Sequence, residues 1–261
     1  MRWLRRFNAT KMNPMGPDIA MAPMEAFNLS GTKLSFRCPL HEVMSDKKVA
    51  PQVLNIYQEE LFEPWNQNED KGMSVNLLYT GWKFWDKPFG EGAIGYIALD
   101  ITLIRRHPHY RKIDSLLKSA DMLQWLLSYS DDIWGGMNRS LWKNRENKTT
   151  PITPESHFWR YPQSTNQIML ETVNGIKRYK YVADKPNGPK ERLWHIPISD
   201  DHDLEFYFRP GALNRNYYKQ DHDLDSAVEK TVQEFMSHVH VRLSPEEQKR
   251  YEEVIAEEKS S

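Results

Sequence analysis

Cysteine is almost missing from this chain: Cys38 stands alone among 261 residues. No intramolecular disulfide can form, and the expected compartment is the cytoplasm. Long apolar runs are missing as well, since no stretch approaches the roughly 18 uninterrupted residues that a membrane span needs. The N-terminal MRWLRRFNATKMNPMGPDIAMAPM has a basic start and an AMA, but no continuous apolar segment lies between them, which argues against secretion. Net charge is close to nil, with 35 Lys+Arg against 36 Asp+Glu, so no global field draws nucleic acid or an anionic membrane. Walker loops, G-x-S-x-G, G-x-G-x-x-G, H-E-x-x-H and C-x-x-C are all absent. These absences leave the expectation of a non-enzymatic protein that binds another protein and needs no cofactor.

What the chain does have is apolar and aromatic content, 39% and 12%, enough to bury a core without a metal or disulfide staple. Residues 1–24 are rich in Met and Pro without periodicity and read as a flexible leader. Their two MxxM pairs, Met12–Met15 and Met21–Met24, offer thioethers, for which alternative start sites are the simpler account. Four N-x-S/T sequons, at Asn8, Asn28, Asn138 and Asn147, are read as chance.

Alternation in FNLSGTKLSFRCP about Ser30-Gly31 predicts a hairpin. SVNLLYTGWKFW changes phase across Thr80-Gly81, as a glycine bulge would produce, and YIALDITLI is a strand with Ile97, Leu99, Ile101 and Leu103 on one face. Ile113, Leu116, Leu117, Ala120, Leu123 and Leu127 then recur at helical spacing, with Gly135-Gly136 after the pattern stops. The stretch from Trp134 to Ser164 has no period and is expected to be a long ordered loop. QIMLETV-NG-IKRYKYV and the pair RLWHIPI and LEFYF around SDDHD predict four strands in a meander over 167–209. Ser226 with Glu229 reads as a capping box, HVHVRL as a short strand, and SPEE as the start of a last helix over 245–258. The sum is an α+β fold on antiparallel sheet with packed helices. One domain over 25–261 is expected, with two similar strand-then-helix lobes, 25–130 and 165–243, as the alternative arrangement.

Four constellations bear on chemistry. The aromatic residues Trp134, Trp142, Phe158, Trp159 and Tyr161 cluster in the expected loop, and rigid amphipathic rings of this kind anchor protein interfaces. They are the expected binding surface, together with the adjacent sheet; a bacterial accessory or toxin-neutralising partner would fit such a chain. The alternative is a metal-dependent hydrolase. His195, His202, His222, His238 and His240 are interleaved with Asp residues, and imidazole with carboxylate is the ligand set for a divalent metal. The bland account of HVHVRL is a strand whose polar face carries His238, His240 and Arg242. Third, RRHPHY offers an anion contact, and Cys38 with His41 a thiol and a base. An ordinary connection and a buried small hydrophobe explain these two. The repeated DHDL at Asp201–Leu204 and Asp221–Leu224 fits a hairpin tip and a helix start, two local jobs of Asp.

Overall fold

The computed structural model describes residues 6–64, 73–89, 92–106, 113–147, 149–218 and 221–260. Its strands are β1 (Met24–Leu29), β2 (Thr32–Arg37), β3 (Lys48–Val49), β4 (Val53–Leu54), β5 (Glu63–Pro64), β6 (Met73–Trp85), β7 (Ala93–Arg105), β8 (Met169–Val173), β9 (Ile176–Ala183), β10 (Glu191–Pro197), β11 (His202–Ala212) and β12 (His240–Arg242). Its helices are α1 (Ser119–Ser130), α2 (Gly136–Lys143), α3 (Pro154–His157), α4 (Leu224–Ser237) and α5 (Pro245–Ser260). The class is α+β on antiparallel sheet. The chain divides into two compact units, each assembled from separated segments: Met1–Glu63, Val75–Thr102 and Tyr207–Glu246 in the first, Pro64–Ser74, Leu103–Phe206 and Glu247–Ser261 in the second.

In the first unit, β12, β2, β1 and β4 form a small sheet in that order. The β1–β2 turn is the expected one: Ser30 and Gly31 have φ of 50° and 92°, and Gly31 N–H donates to Asn28 Oδ1 at 2.7 Å. Phe235 of α4 sits among Phe36, Trp82 and Phe208, with ring centroids 5.6 to 5.8 Å away. Burying each of these rings contributes about 1.5–3 kcal/mol, so this cluster is the unit's main apolar core. Asp223, not Ser226, caps α4, because its carboxylate accepts Ser226 N–H at 3.1 Å. The helix extends to Ser237 and His238 ends it, so His238 and His240 do not share one strand face.

β6 continues across Gly81, with the neighbours Leu77 and Leu78 both buried and Thr80, Trp82 and Phe84 buried after them. Glycine is needed there for close approach, since a Cβ would lie 2.8 Å from Val43 Cγ2 and 2.9 Å from the Ile97 carbonyl. Residues 6–23 are also packed: Ile19 is fully buried, Ala9 and Ala22 nearly so, and Met15 and Trp85 exchange backbone hydrogen bonds of 2.9 and 3.0 Å.

The second unit contains the predicted meander. β8 and β9 are joined by Asn174 and Gly175 at φ of 52° and 82°, as a type I′ turn requires. β9 pairs with β10 so that Tyr179 lies opposite His195 and Leu193 opposite Tyr181. α1 begins at Ser119, later than the periodicity implied. Ile113, Leu116 and Leu117 are buried in the preceding turns, which Asp121 holds by accepting from the N–H groups of Asp114 and Ser115. α5 packs on the same unit, where Tyr251 accepts Lys177 N–H and Glu258 accepts Ser119 N–H.

Candidate functional site

The segment expected to be a loop after Trp134 is largely helical. α1 does not stop at Gly135-Gly136 but passes through one π turn, Asp131–Gly135, and continues as α2. Single π turns inside helices widen the backbone locally and are frequent at functional sites. Here the turn is clamped from outside. The Tyr161 hydroxyl donates to Asp131 Oδ1 at 2.7 Å, and Arg139 Nη1 donates to Asp131 Oδ2 at 2.9 Å. Gly135 makes room for this clamp, because a Cβ would fall 2.2 Å from Asp131 Oδ1 and 2.5 Å from the Tyr161 hydroxyl. Burial and then the bond to Asp131 raise the Tyr161 phenol above its ordinary value.

Asn138 ties the return chain to α2. Its amide donates to the Trp159 carbonyl at 2.9 Å and accepts Trp159 N–H at 2.8 Å, a two-way bond that imitates a strand neighbour. With its side chain so used, the sequon at Asn138 cannot carry a glycan in this fold. One residue on, Arg160 and Asp184 exchange backbone bonds of 2.8 and 2.9 Å. Arg160 thereby continues the line of β8 along the outer side of β9.

The five aromatic residues divide by role. Trp134 is buried, with its ring 4.4 Å from that of Trp159. Tyr161 serves the clamp. Trp142 is 42% exposed, meets Phe158 edge-on at 6.0 Å, and has the Arg145 guanidinium 4.5 Å from its ring. Trp159 is partly exposed with the Lys185 ammonium 4.7 Å from its ring. Trp142 and Phe158 thus pair beside Arg145 with Trp142 exposed, while Trp159 packs on Trp134 with Lys185 over its ring.

The histidines do not gather. His195 and His202 belong to the second unit, His222, His238 and His240 to the first. His202 Nδ1 bonds Ser199 Oγ at 2.8 Å, His222 Nδ1 bonds Asp221 Oδ1 at 2.8 Å, and His240 is exposed on β12. Among the described residues no three His, Cys, Asp or Glu side chains form a group able to hold a metal ion. Cys38 and His41 are not a catalytic pair: the His41 Nδ1 accepts Gly81 N–H at 3.2 Å, and burial pushes the Cys38 thiol up to about 11. His107, Pro108 and His109 of RRHPHY lie outside the described residues.

No family model, curated protein or solved structure matches the chain. Its chemistry rests on its own geometry.

A buried polar centre escaped the sequence reading. His195 on β10 is fully buried, and its Nδ1 lies 2.6 Å from Asp203 Oδ2 of β11; Glu205 Oε2, two residues along the same strand face, is 3.7 Å from Nε2. Asp203 and Glu205 at i and i+2, facing a His one strand away, were the available signal.

Proposed function

We propose that the chain is a non-enzymatic binding protein that holds a protein partner through Trp142, Phe158 and Trp159, with the adjoining edge of β8 as part of the surface. The observation that carries this reading is the exposure of Trp142 on a rigid support. Large aromatic side chains are normally buried, and one kept at the surface by a π turn, a carboxylate clamp and a two-way amide bond is preorganised for contact. Exposed Met169 and Leu170 extend the apolar area along β8. In β8 the N–H and C=O groups of Leu170 and Thr172 point away from β9, given the register set by the two-residue turn, so the edge can take another extended strand.

A cytoplasmic location belongs to the same reading and is supported by the lone, buried Cys38. Nucleic acid is not the proposed partner, since the chain's formal net charge is −1. No described helix is long and apolar enough to cross a membrane. The test is a pull-down from the native lysate with wild-type protein and with Trp142→Ala/Trp159→Ala. The specific partner should be lost from the double variant, and its retention at wild-type yield rejects the surface.

A further inference from the structure

We propose that His195 carries a proton that clasps α1 to the sheet of the second unit, and that loss of this proton loosens α1 and the aromatic face it leads into. The geometry is that of a cation in a closed cage. Tyr181 of β9 stacks on the imidazole at 5.6 Å and 9°, while Trp125 and Tyr129 of α1 meet it edge-on at 6.1 and 6.0 Å. Asp203 lies at Nδ1 and Glu205 at Nε2, both from β11. The Tyr129 hydroxyl is hydrogen-bonded to Glu205, so one carboxylate joins the helix to the imidazole. Tyr179 of β9 lies opposite His195, with Tyr251 and the Lys177–Glu258 ion pair beyond it, Lys177 also donating to Ser119 Oγ at 2.7 Å at the start of α1.

The proton that matters is the one on Nε2. With Nδ1–H engaged by Asp203 in either charge state, leaving Nε2 unprotonated turns its lone pair toward the Glu205 carboxylate. The centre then holds two carboxylates and no cation, in a site from which water is excluded, and an uncompensated buried charge is costly. Glu205 can be resolvated if Tyr129, which covers it from near the end of α1, moves away. From there the chain runs directly into the π turn and α2, which carries Asn138 and Trp142.

Burial alone would lower the imidazole's proton affinity, but the charge and hydrogen bond of Asp203, with the charge of Glu205, outweigh it and hold it above 6.5. A group raised in the folded state adds stability that is fully present below its unfolded value and is lost as pH rises through the folded value. The clasp is therefore closed below 6.5 and opens as pH rises through the raised folded value.

The experiment uses the full chain labelled with ¹⁵N. Side-chain spectra of His195 at pH 6 should show both ring nitrogens protonated, with titration above 6.5; a neutral ring at pH 6, or titration below 6.5, overturns the proposal. Amide exchange in α1 and α2, corrected for intrinsic rates, should lose roughly tenfold in protection for each pH unit by which the folded value exceeds 6.5. Protection that is flat with pH likewise overturns it. His195→Gln should abolish the pH dependence. Glu205→Gln, which keeps the imidazole and removes one carboxylate, should move the transition to lower pH. An unmoved transition in Glu205→Gln removes the role assigned to that carboxylate.

Discussion

Asn138→Ala probes the scaffold beneath the aromatic face without touching the face itself. The side chain is 9% exposed and makes two hydrogen bonds to the backbone of Trp159, 2.9 Å as donor and 2.8 Å as acceptor. Each such bond contributes about 0.5–1.5 kcal/mol net, and the variant also leaves the Trp159 N–H and C=O to find new partners, so the expected loss is about 2 kcal/mol. With a urea slope of about 2–3 kcal/mol per molar, the unfolding midpoint of the transition reporting this region should fall by roughly 0.7–1 M. Asn138→Asp keeps the acceptor and removes the donor, so it should fall in between unless the new charge is strongly desolvated. Asn138→Ala should also weaken partner capture, although Asn138 itself is buried. A midpoint shift below about 0.3 M, or full capture by a measurably destabilised variant, refutes the claim that this amide preorganises the face.

Further outcomes follow from the same geometry. Gly135→Ala should destabilise the second unit by about 1–3 kcal/mol, because its Cβ would collide with Asp131 and Tyr161, and thermal unfolding measures it. The Cys38 thiol, buried and raised to about 11, should react with a water-soluble disulfide reagent at pH 8 only as fast as the protein unfolds; rapid stoichiometric labelling of native protein contradicts this. Stability should decline in the wild type as pH rises from 6.5 through the raised folded value, with that component missing from His195→Gln, as read by chemical denaturation across the pH series. Untagged protein purified without chelator should hold no stoichiometric zinc, manganese or iron; one equivalent of bound metal would restore the hydrolase alternative.

Local signals in the sequence located most elements. Asn174-Gly175 and Ser30-Gly31 fixed their hairpins because positive φ at those positions is a local requirement, independent of the rest of the fold. The stop expected at Gly135-Gly136 failed because glycine there makes room for the Asp131 carboxylate and the Tyr161 hydroxyl it binds, a clamp completed by a distant residue that no local rule reports. Gly81 is similar: its neighbours Val43 and Ile97 come from other parts of the chain. Trp134 and Trp142 looked alike in sequence, and only packing made one a core residue and the other an exposed anchor. The His195 centre was hidden for the opposite reason. Asp203 is next to SDD and reads as turn chemistry, whereas in the fold it is the first inward position of β11.

The central claim is that the face built around Trp142 touches a partner. A photoreactive benzoylphenylalanine at Lys143, exposed beside Trp142, is compared with the same probe at Met44, which is 99% exposed in the other unit. Irradiation in the native lysate is followed by mass spectrometry of the crosslinked bands. A discrete protein adduct from position 143, absent at position 44 and abolished by Trp142→Ala, is the predicted result. No adduct at 143, or the same adducts from both positions, contradicts it.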